Sequence, residues 1–248
     1  MSCPLSHTVD AHDALKRDAY AAPRRKMVDV QLRRRGVTDT RVLQVMRHVP
    51  RHEFVSERFR KIAYGDHPIP IGENQTISQP YIVGLMLQAL ALEPQDRVLE
   101  IGSGSGYETA LLAEMAKQAY SIECDSELSD RAGKTLARLG YTNVILAVGD
   151  GSQGLPMAGP FNAIVVSAAA PSIPPPLLDQ LKDGGRMVIP VGSRLLQELQ
   201  LVRKRDHDSV VSVIGMCCFV RLIGKHGFAT SSTASRDEYP LFIEDCPQ

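Results

Sequence analysis

Three glycines close a short apolar run near the middle of the chain, in the sequence VLEIGSGSGY at residues 98–107. The run is typical of a β-strand that enters a turn through Gly102, Gly104 and Gly106, with a helix opening behind the turn. Glycines there let a ligand approach the backbone closely, and the free amides at a helix start favour electron-rich groups. The stretch therefore predicts a cofactor-binding turn.

Two acidic residues follow at the ends of the next two predicted strands. Glu123 ends AYSIE, where a carboxylate can accept hydrogen bonds from both hydroxyls of a ribose. Asp150, in GDG after NVILAV, is placed to reach an adenine amino group. Either acid alone is typical of a strand end that faces water. The glycine turn, Glu123 and Asp150 at successive strand ends together favour a cofactor site.

The glycine spacing separates two cofactor classes. A dinucleotide fingerprint counted from Gly102 needs a third glycine at the position of Tyr107. The spacing is instead Glu100-x-Gly-x-Gly-x-Gly, which resembles the motif of class I methyltransferases that bind S-adenosylmethionine.

An alternation of β-rich runs and helix-length segments positions these residues. It begins at residue 97 and favours an α/β fold with a doubly wound, mostly parallel sheet covered by helices on both faces. Two later runs, LQLVRK and SVVSVIGMCCFV, have the spacing of antiparallel strands joined by RDHD. The predicted strands are RVLEI, AYSIE, NVILAV, FNAIVVSA and RMVIPV, and the predicted helices are YETALLAEMAK, ELSDRAGKTLARLG and PPLLDQLKDGG.

A helical layer is predicted before the sheet. In RRKMVDVQLRRRG, Met27 and Val30 have helical spacing and Gly36 is a plausible stop. Thr38 is the expected N-cap of a second helix that Pro50 ends. That helix carries Val42, Leu43, Val45 and Met46.

A polar run, ENQTISQP at residues 73–80, precedes the apolar segment YIVGLMLQALAL. One interpretation is a capped loop, because Pro80 suits the first helical position and a polar residue before it can cap. A functional role for the run is the alternative, and local sequence leaves both open.

The composition excludes several classes of partner. The 248 residues include 28 Lys plus Arg and 28 Asp plus Glu, so there is no global attraction to nucleic acid or to an anionic membrane. The apolar stretch at 81–92 is well short of the roughly 20 residues that span a bilayer. No secretory signal is visible. We expect a cytoplasmic protein and a monomer.

No metal or disulfide framework is expected. Five cysteines are an odd number without CxxC spacing. His48 and His52 are four residues apart, but Pro50 spoils the helix that would align them on a metal.

Five stretches in this order resemble the protein-L-isoaspartate O-methyltransferase family. They are PIPIGENQTISQPYIVGLM, VLEIGSGSGYETALLA, GDGSQGLP, FNAIVVSAAAPSIP and PVGSRLLQELQLV. The most specific element is QTISQP, which generic class I methyltransferases lack. The resemblance implies transfer of a methyl group from S-adenosylmethionine to the α-carboxyl of L-isoaspartyl residues in damaged proteins and peptides, which initiates their repair.

The resemblance also implies residue roles. Ser78 is the implied active-site serine, flanked by Thr76, Ile77 and Gln79 near cofactor and substrate. The glycine turn would cradle the methionine end, Glu123 would bind the ribose, and Asp150 with Gly151 would meet the adenine. Val220 and Arg221 lie in the implied substrate-side strand, Phe219 to Leu222. The turn residues are Gly102, Ser103, Gly104 and Gly106.

The chain departs from the family pattern at two positions, Asn162 in place of the common Asp and Arg221 in place of the common Pro. These departures put peptide preference in doubt. We expect one methyltransferase domain at residues 24–228, an N-terminal extension at 1–23 and a C-terminal tail at 229–248. The alternatives are a class I methyltransferase with another acceptor, such as a small molecule or RNA, and a donor-binding module without catalysis. The neutral charge and few aromatic residues disfavour RNA.

Overall fold

A seven-stranded sheet with the strand order β5-β4-β3-β6-β7-β8-β9 forms the centre of the protein. The structure is a computed structural model that describes residues 18–193, 196–206 and 208–229. The parallel strands are β3 (Arg97–Ile101), β4 (Gln118–Glu123), β5 (Val144–Val148), β6 (Phe161–Val166) and β7 (Leu181–Gly192). Strands β8 (Gln197–Arg205) and β9 (Asp208–Cys217) add antiparallel to β7. The predicted fold class is confirmed.

Strand order reverses at β3, which pairs with β4 on one side and β6 on the other. Ligands bind in open α/β sheets at the carboxyl ends of the strands beside such a reversal. Because β3 and β6 pair in parallel, the glycine turn after β3 lies next to the carboxyl end of β6.

Helices cover both faces of this sheet. Successive side chains of a strand point to opposite faces, so Val98 joins one apolar cluster while Leu99 and Ile101 join the other. The helices are α1 (Ala21–Lys26), α2 (Thr40–His48), α3 (Pro80–Leu90), α4 (Tyr107–Met115), α5 (Ser126–Arg138) and α6 (Pro175–Asp179). Within the described ranges, none of the helices has the length and apolar character needed to cross a membrane.

The N-terminal layer differs from its prediction in two details. Helix α1 continues into a π-helical turn, Met27–Leu32, whose i→i+5 bonding shifts the buried face. Met27 is buried, whereas Val30 is 37% exposed. Thr38 is not the N-cap of α2, because the Asp39 side chain accepts from the amides of Arg41 and Val42 instead. Gly36 ends the first helical run at φ 95°, as predicted.

The polar run at residues 73–80 forms half of a small hairpin. Strand β1 (Ile69–Gly72) pairs antiparallel with β2 (Gln75–Ile77). Glu73 and Asn74 both have positive φ, 50° and 54°, as a two-residue hairpin turn requires. Helix α3 begins at Pro80, but the Gln79 side chain makes no capping hydrogen bond. A side-chain cap was therefore the wrong interpretation of this run.

The predicted helix in PPLLDQLKDGG forms only over the first half of the segment, and the second half belongs to a strand. Helix α6 ends at Asp179, and β7 already begins at Leu181, which pairs with Phe161 of β6. The register shifts before Ala163 pairs with Arg186, so β7 has extra residues between these two pairs, Gly184 among them. Gly184 has φ 72°, a conformation that glycine adopts without strain.

Candidate active site

A pocket opens at the carboxyl ends of β3, β4 and β6, and β2 and the residue after it also line this pocket. Its empty volume is about 790 Å³, open mouth included, within the usual size of small-molecule sites. The lining includes residues 75–78, 100–105, 107–108, 122–124, 151, 167–168 and 220–223. Elements far apart in sequence therefore meet around one cavity.

The glycine turn forms the sheet side of the pocket. Gly102 and Gly104 have φ 94° and 50°, and a Cβ on Gly104 would lie 3.3 Å from Ile71 Cδ1. Ser103 Oγ lies 2.6 Å from Ser121 Oγ, which ties the turn to β4. Gly106 caps α4 behind the turn and is not among the lining residues.

Glu123 lies at the end of β4 and is 6% exposed. Its Oε2 accepts from the amide of Gly104 at 2.9 Å, and its Oε1 accepts from the amide of Cys124 at 2.8 Å. These bonds fix the carboxylate on the pocket wall beside the glycine turn.

Asp150 and Gly151 follow β5, and only Gly151 lines the pocket. A Cβ on Gly151 would lie 2.5 Å from Ile101 Cγ2, so a side chain there would force the wall to move. Partial burial favours the neutral form of Asp150, but hydrogen bonds from Lys225 N and from Ser152 outweigh it and lower the pKa of Asp150. Asp150 thus already holds the loop at residues 224–228 in place.

Ser78 and two of its neighbours line the same pocket as the glycine turn. Thr76, Ile77 and Ser78 line the pocket, whereas Gln79 does not. The Gln79 side chain donates instead to the carbonyl of Asp66 at 3.1 Å. The structure therefore brings three of these four predicted residues to the cavity.

Arg51 supports this segment and was missed by sequence reasoning. It is fully buried, and its Nη2 donates to the carbonyl of Ser78 at 2.7 Å while Nε donates to the carbonyl of Ala63 at 2.8 Å. The guanidinium lies 4.9 Å from the centre of the Tyr107 ring. Burial lowers the pKa of Arg51 to about 10. The side chain links the turn after α2 to the serine.

Two buried carboxyl groups that line the pocket were also not predicted from the sequence as a pair. Glu100 lies in β3 and Glu108 in the first turn of α4, and they are 0% and 8% exposed. Burial raises the pKa of Glu100, and the neighbouring Glu108 raises it further. Burial likewise raises the pKa of Glu108. A Glu just inside a helix start is common on electrostatic grounds, so local sequence carries no signal for this role.

The C-terminal wall contains Val220 and Arg221, which both line the pocket. The amide of Ala169 donates to Val220 O at 2.7 Å, and the amide of Leu222 donates to Ala169 O at the same distance. The segment after β9 is thereby attached beside the end of β6. Of the two departures from the family pattern, Arg221 lies at the pocket.

Asn162 is the second residue of the central strand β6, at the end of the strand away from the pocket. Its Oδ1 accepts from the amide of Arg97, the first residue of β3, at 3.0 Å and from Lys182 Nζ at 3.3 Å. The amide oxygen serves as an acceptor there, and the residue is distant from the carboxyl ends that form the pocket.

His52 packs among aromatic residues, whereas His48 is exposed. His52 stacks on Tyr20 at 4.0 Å between ring centres and lies within hydrogen-bonding distance of the Tyr64 hydroxyl, 2.8 Å. Across the part of the chain that the structure describes, no group of three or more His, Cys, Asp and Glu side chains is arranged to hold a metal ion.

Comparison with known proteins identifies relatives across most of the chain. A Syntrophobacter fumaroxidans protein named protein-L-isoaspartate O-methyltransferase 1 is 53% identical over 209 residues, 84% of this chain and 98% of the relative. A Methanoculleus marisnigri protein-L-isoaspartate O-methyltransferase is 50% identical over 214 residues, 86% of this chain and 97% of the relative.

Solved structures give the same result. A protein-L-isoaspartate O-methyltransferase matches with TM-score 0.75 at 28% identity, over 82% of this chain and 67% of that one. A Plasmodium falciparum protein described by the same activity, in complex with S-adenosyl-L-homocysteine, matches with TM-score 0.71 at 27% identity, over 81% of this chain and 98% of that one. The family model for protein-L-isoaspartate(D-aspartate) O-methyltransferase matches residues 23–227. This chain therefore belongs to the protein-L-isoaspartate(D-aspartate) O-methyltransferase family.

Proposed function

We propose that this protein transfers a methyl group from S-adenosylmethionine to the α-carboxyl of L-isoaspartyl residues in proteins and peptides, the initiating step of their repair. The observation that carries the proposal is that Ser78 lines the same pocket as the glycine turn and Glu123. One cavity thus offers a place for a donor and a hydroxyl for an acceptor. Family membership supports the same activity.

The pocket residues fit the proposed donor. Gly102, Ser103 and Gly104 would receive its methionine end, and Glu123 would accept from its ribose hydroxyls. Gly151, Ile101 and Ile122 line the part of the wall on which the adenine would lie. Gly151 packs so closely on Ile101 that no side chain fits at position 151. Glu100 and Glu108 each keep one buried oxygen without a hydrogen-bond partner, which suits a positively charged ligand. When bound, S-adenosylmethionine supplies a methyl group on a positively charged sulfur.

The acceptor needs no general base. An α-carboxyl has an unperturbed pKa of about 3.3–3.7, so at neutral pH it is already an ionised nucleophile. The remaining task of the chain is to hold the reacting atoms in line, which can contribute roughly 7–11 kcal/mol. We assign to the Ser78 hydroxyl the role of donating a hydrogen bond to the acceptor carboxylate and orienting it.

Three other residues would act on the acceptor side. Arg51 would hold the backbone of Ser78 through its carbonyl. Val220 and Arg221 would border the peptide, because they form the wall next to the end of β6. The exchange of the common Pro for Arg221 adds a positive charge at this wall, so we expect it to favour peptides with acidic residues near the isoaspartate.

The test uses S-adenosylmethionine labelled in its methyl group with two peptides that differ only in one residue, isoaspartate or aspartate. Base-labile label on the isoaspartyl peptide alone supports the proposal. Label on a small molecule or RNA but on neither peptide would support a methyltransferase with another acceptor. Tight binding of S-adenosylhomocysteine without transfer to any acceptor would support a donor-binding module.

We further propose a cytoplasmic monomer with one methyltransferase domain at residues 24–228, between flanking segments at 1–23 and 229–248. The equal numbers of acidic and basic residues support proteins and peptides, rather than nucleic acid or membrane, as its partners. Sedimentation of the purified protein tests the monomer, and limited proteolysis that leaves a stable fragment near 24–228 tests the domain. A dimer or a cut inside that range would contradict them.

A further inference from the structure

A second cavity lies in the N-terminal helical layer. Its walls come from α1, the π-helical turn after it and residues 61–67. Its empty volume is about 640 Å³, open mouth included, and it shares no lining residue with the active-site pocket. The size is within the usual range of ligand sites, and the proposed methyl transfer gives this cavity no role.

The second cavity is basic. Lys26, Lys61 and His67 line it, and the described residues of its wall include no Asp or Glu. Both lysines are exposed, and neither forms an ion pair within the part of the chain that the structure describes. Residues 18–67 contain 12 Lys plus Arg but six Asp plus Glu, a net charge of +6 in a chain that is neutral overall. This concentration of positive charge favours an anionic partner at the N-terminal layer.

Two further groups of the wall suit a polypeptide. Gln31 Nε2 donates to the Tyr64 carbonyl at 2.8 Å, whereas Gln31 Oε1 is buried and has no hydrogen-bond partner among the described residues. Ile62 is 48% exposed and adds apolar surface. A backbone N–H of a bound segment can donate to Oε1 while its side-chain carboxylates pair with the lysines. A small inorganic anion has neither N–H donors nor apolar groups, so an acidic polypeptide segment fits the cavity better.

Residues 61–67 connect the second cavity to the acceptor side of the active site. Arg51 donates to a carbonyl of this segment at 2.8 Å and to the Ser78 carbonyl at 2.7 Å. Gln79 donates to another carbonyl of the segment at 3.1 Å. One short segment therefore lines the second cavity and is bonded to the residues at the serine.

We propose that the second cavity is a subsite for acidic residues of the acceptor polypeptide that are remote in sequence from the methylated residue. This inference rests on the proposed function, because the acceptor is then a protein or peptide. An extended chain covers about 3.3–3.6 Å per residue, so acids about four to seven residues from the isoaspartate would lie roughly 13–25 Å from Ser78. That distance carries a peptide across the segment at 61–67. Arg221, in contrast, would meet residues next to the isoaspartate.

The experiment compares isoaspartyl peptides of equal length in steady-state methyl transfer with the full chain. One peptide has two glutamates about four to seven residues from the isoaspartate, on its N-terminal or its C-terminal side, and the other has glutamines there. We expect the glutamates of one side to lower KM by about 3–10-fold, the range for two exposed ion pairs. High salt should abolish this KM advantage, because it screens exposed charges.

The double variant Lys26→Gln with Lys61→Gln should give the two peptides equal KM values. The matched control, Lys117→Gln with Arg203→Gln, removes the same charge at two exposed positions outside both cavities. It should retain the full KM advantage of the acidic peptide. An equal KM for the two peptides in the unaltered protein, or an equal loss of the advantage in both double variants, would overturn the subsite.

The chain itself contains a competing acidic segment near its C-terminus, with Asp237, Glu238, Glu244 and Asp245. Replacing these four residues by their amides in the full chain should leave the KM advantage unchanged. If the advantage appeared only after this replacement, the cavity would belong to the C-terminal segment of the chain rather than to the acceptor.

A binding measurement separates this inference from the proposed function. Fluorescence anisotropy follows a labelled peptide that has the same remote glutamates but aspartate in place of isoaspartate. Binding that the two lysine substitutions weaken, together with no methyl transfer to any peptide, would support an acidic-polypeptide site and overturn the proposed activity. Methyl transfer without any effect of the lysines would do the reverse. A single-stranded RNA that displaced the labelled peptide better than polyglutamate would assign the cavity to nucleic acid and overturn the subsite.

Discussion

At the scale of single residues, a substitution of Ser78 distinguishes a role in binding the methyl acceptor from a role in binding the methyl donor. Ser78 lines the same pocket as the glycine turn, and Arg51 donates to its backbone carbonyl. Ser78→Ala should lower kcat/KM for an isoaspartyl peptide by about 10–100-fold, because one hydrogen bond to a charged group is lost. Affinity for S-adenosylhomocysteine should stay within about twofold. Steady-state kinetics and calorimetry measure the two quantities.

Ser209→Ala, at an exposed position on β9, is the control for Ser78→Ala. It should match the unaltered protein in both measurements. If Ser78→Ala lost affinity for S-adenosylhomocysteine as strongly as it lost kcat/KM, the serine would stabilise the loop rather than orient the acceptor.

Arg51 is a positioning residue that acts through Ser78. Arg51→Met leaves the carbonyls of Ala63 and Ser78 without their donors, which costs about 1–3 kcal/mol for each buried group. We expect a lower Tm and a raised KM for the acceptor peptide, with S-adenosylhomocysteine affinity retained. Denaturation, kinetics and calorimetry on the same sample measure these effects.

Arg51→Lys tests the geometry of that contact. A lysine restores the charge but cannot reproduce the planar fork that reaches two carbonyls. Arg51→Lys should regain part of the stability lost in Arg51→Met. Its KM for the acceptor peptide should stay nearly as high as that of Arg51→Met. Full recovery of KM by lysine would indicate that charge alone, rather than the position of Ser78, is what Arg51 provides.

At the scale of elements, Gln197 at the start of β8 attaches the C-terminal wall of the pocket. It is 1% exposed; its Nε2 donates to Phe219 O at 3.1 Å, and its Oε1 accepts from Phe219 N at 2.6 Å. Gln197→Ala should cost about 1–3 kcal/mol of unfolding free energy, because both backbone groups lose their partner. It should also raise KM for the peptide, since Val220 and Arg221 follow Phe219 directly.

Gln200→Ala in the same strand is the matched control. Gln200 donates to the exposed carboxylate of Glu198, so its loss should change the unfolding free energy by less than about 0.5 kcal/mol. Urea unfolding and peptide kinetics give both values. If Gln197→Ala and Gln200→Ala behaved alike, the attachment of residues 219–222 would not depend on Gln197.

At the scale of the whole molecule, the buried carboxyl pair makes stability depend on pH. Burial raises the pKa of Glu108 to about 7 and that of Glu100 to about 8, above the ordinary value for a glutamate. Their stabilising contribution is therefore complete below about pH 4.5 and is lost as pH rises through these values. Glu108→Gln cannot ionise, so its Tm relative to the unaltered protein should increase from pH 5 to pH 8.

Scanning calorimetry of the ligand-free protein at several pH values measures this difference. Each kcal/mol corresponds to about 2–4 °C for a chain of this size. Glu114→Gln should show a constant offset from the unaltered protein over the same range. A pH-independent offset for Glu108→Gln would contradict the assignment of a raised pKa to that carboxyl.

The sequence by itself determined the order of strands and helices and the fold class. Strand and helix signals are local: alternating apolar residues, glycines where φ is positive, and turn residues between them. These signals placed Gly102, Glu123 and Asp150 at successive strand ends, and parallel strands bring such ends to one edge. A local rule failed at Thr38, because the neighbouring Asp39 caps the helix instead.

Only the tertiary structure decided which buried groups meet at the pocket. Arg51 lies 27 positions before Ser78, and Ser167 lies 59 after Glu108, so neither contact has a local signal. The tertiary structure also decided that Asn162 lies at the start of β6, away from the pocket, and that Arg221 lines the pocket. Such contacts depend on how distant elements pack, which residue spacing along the chain does not encode.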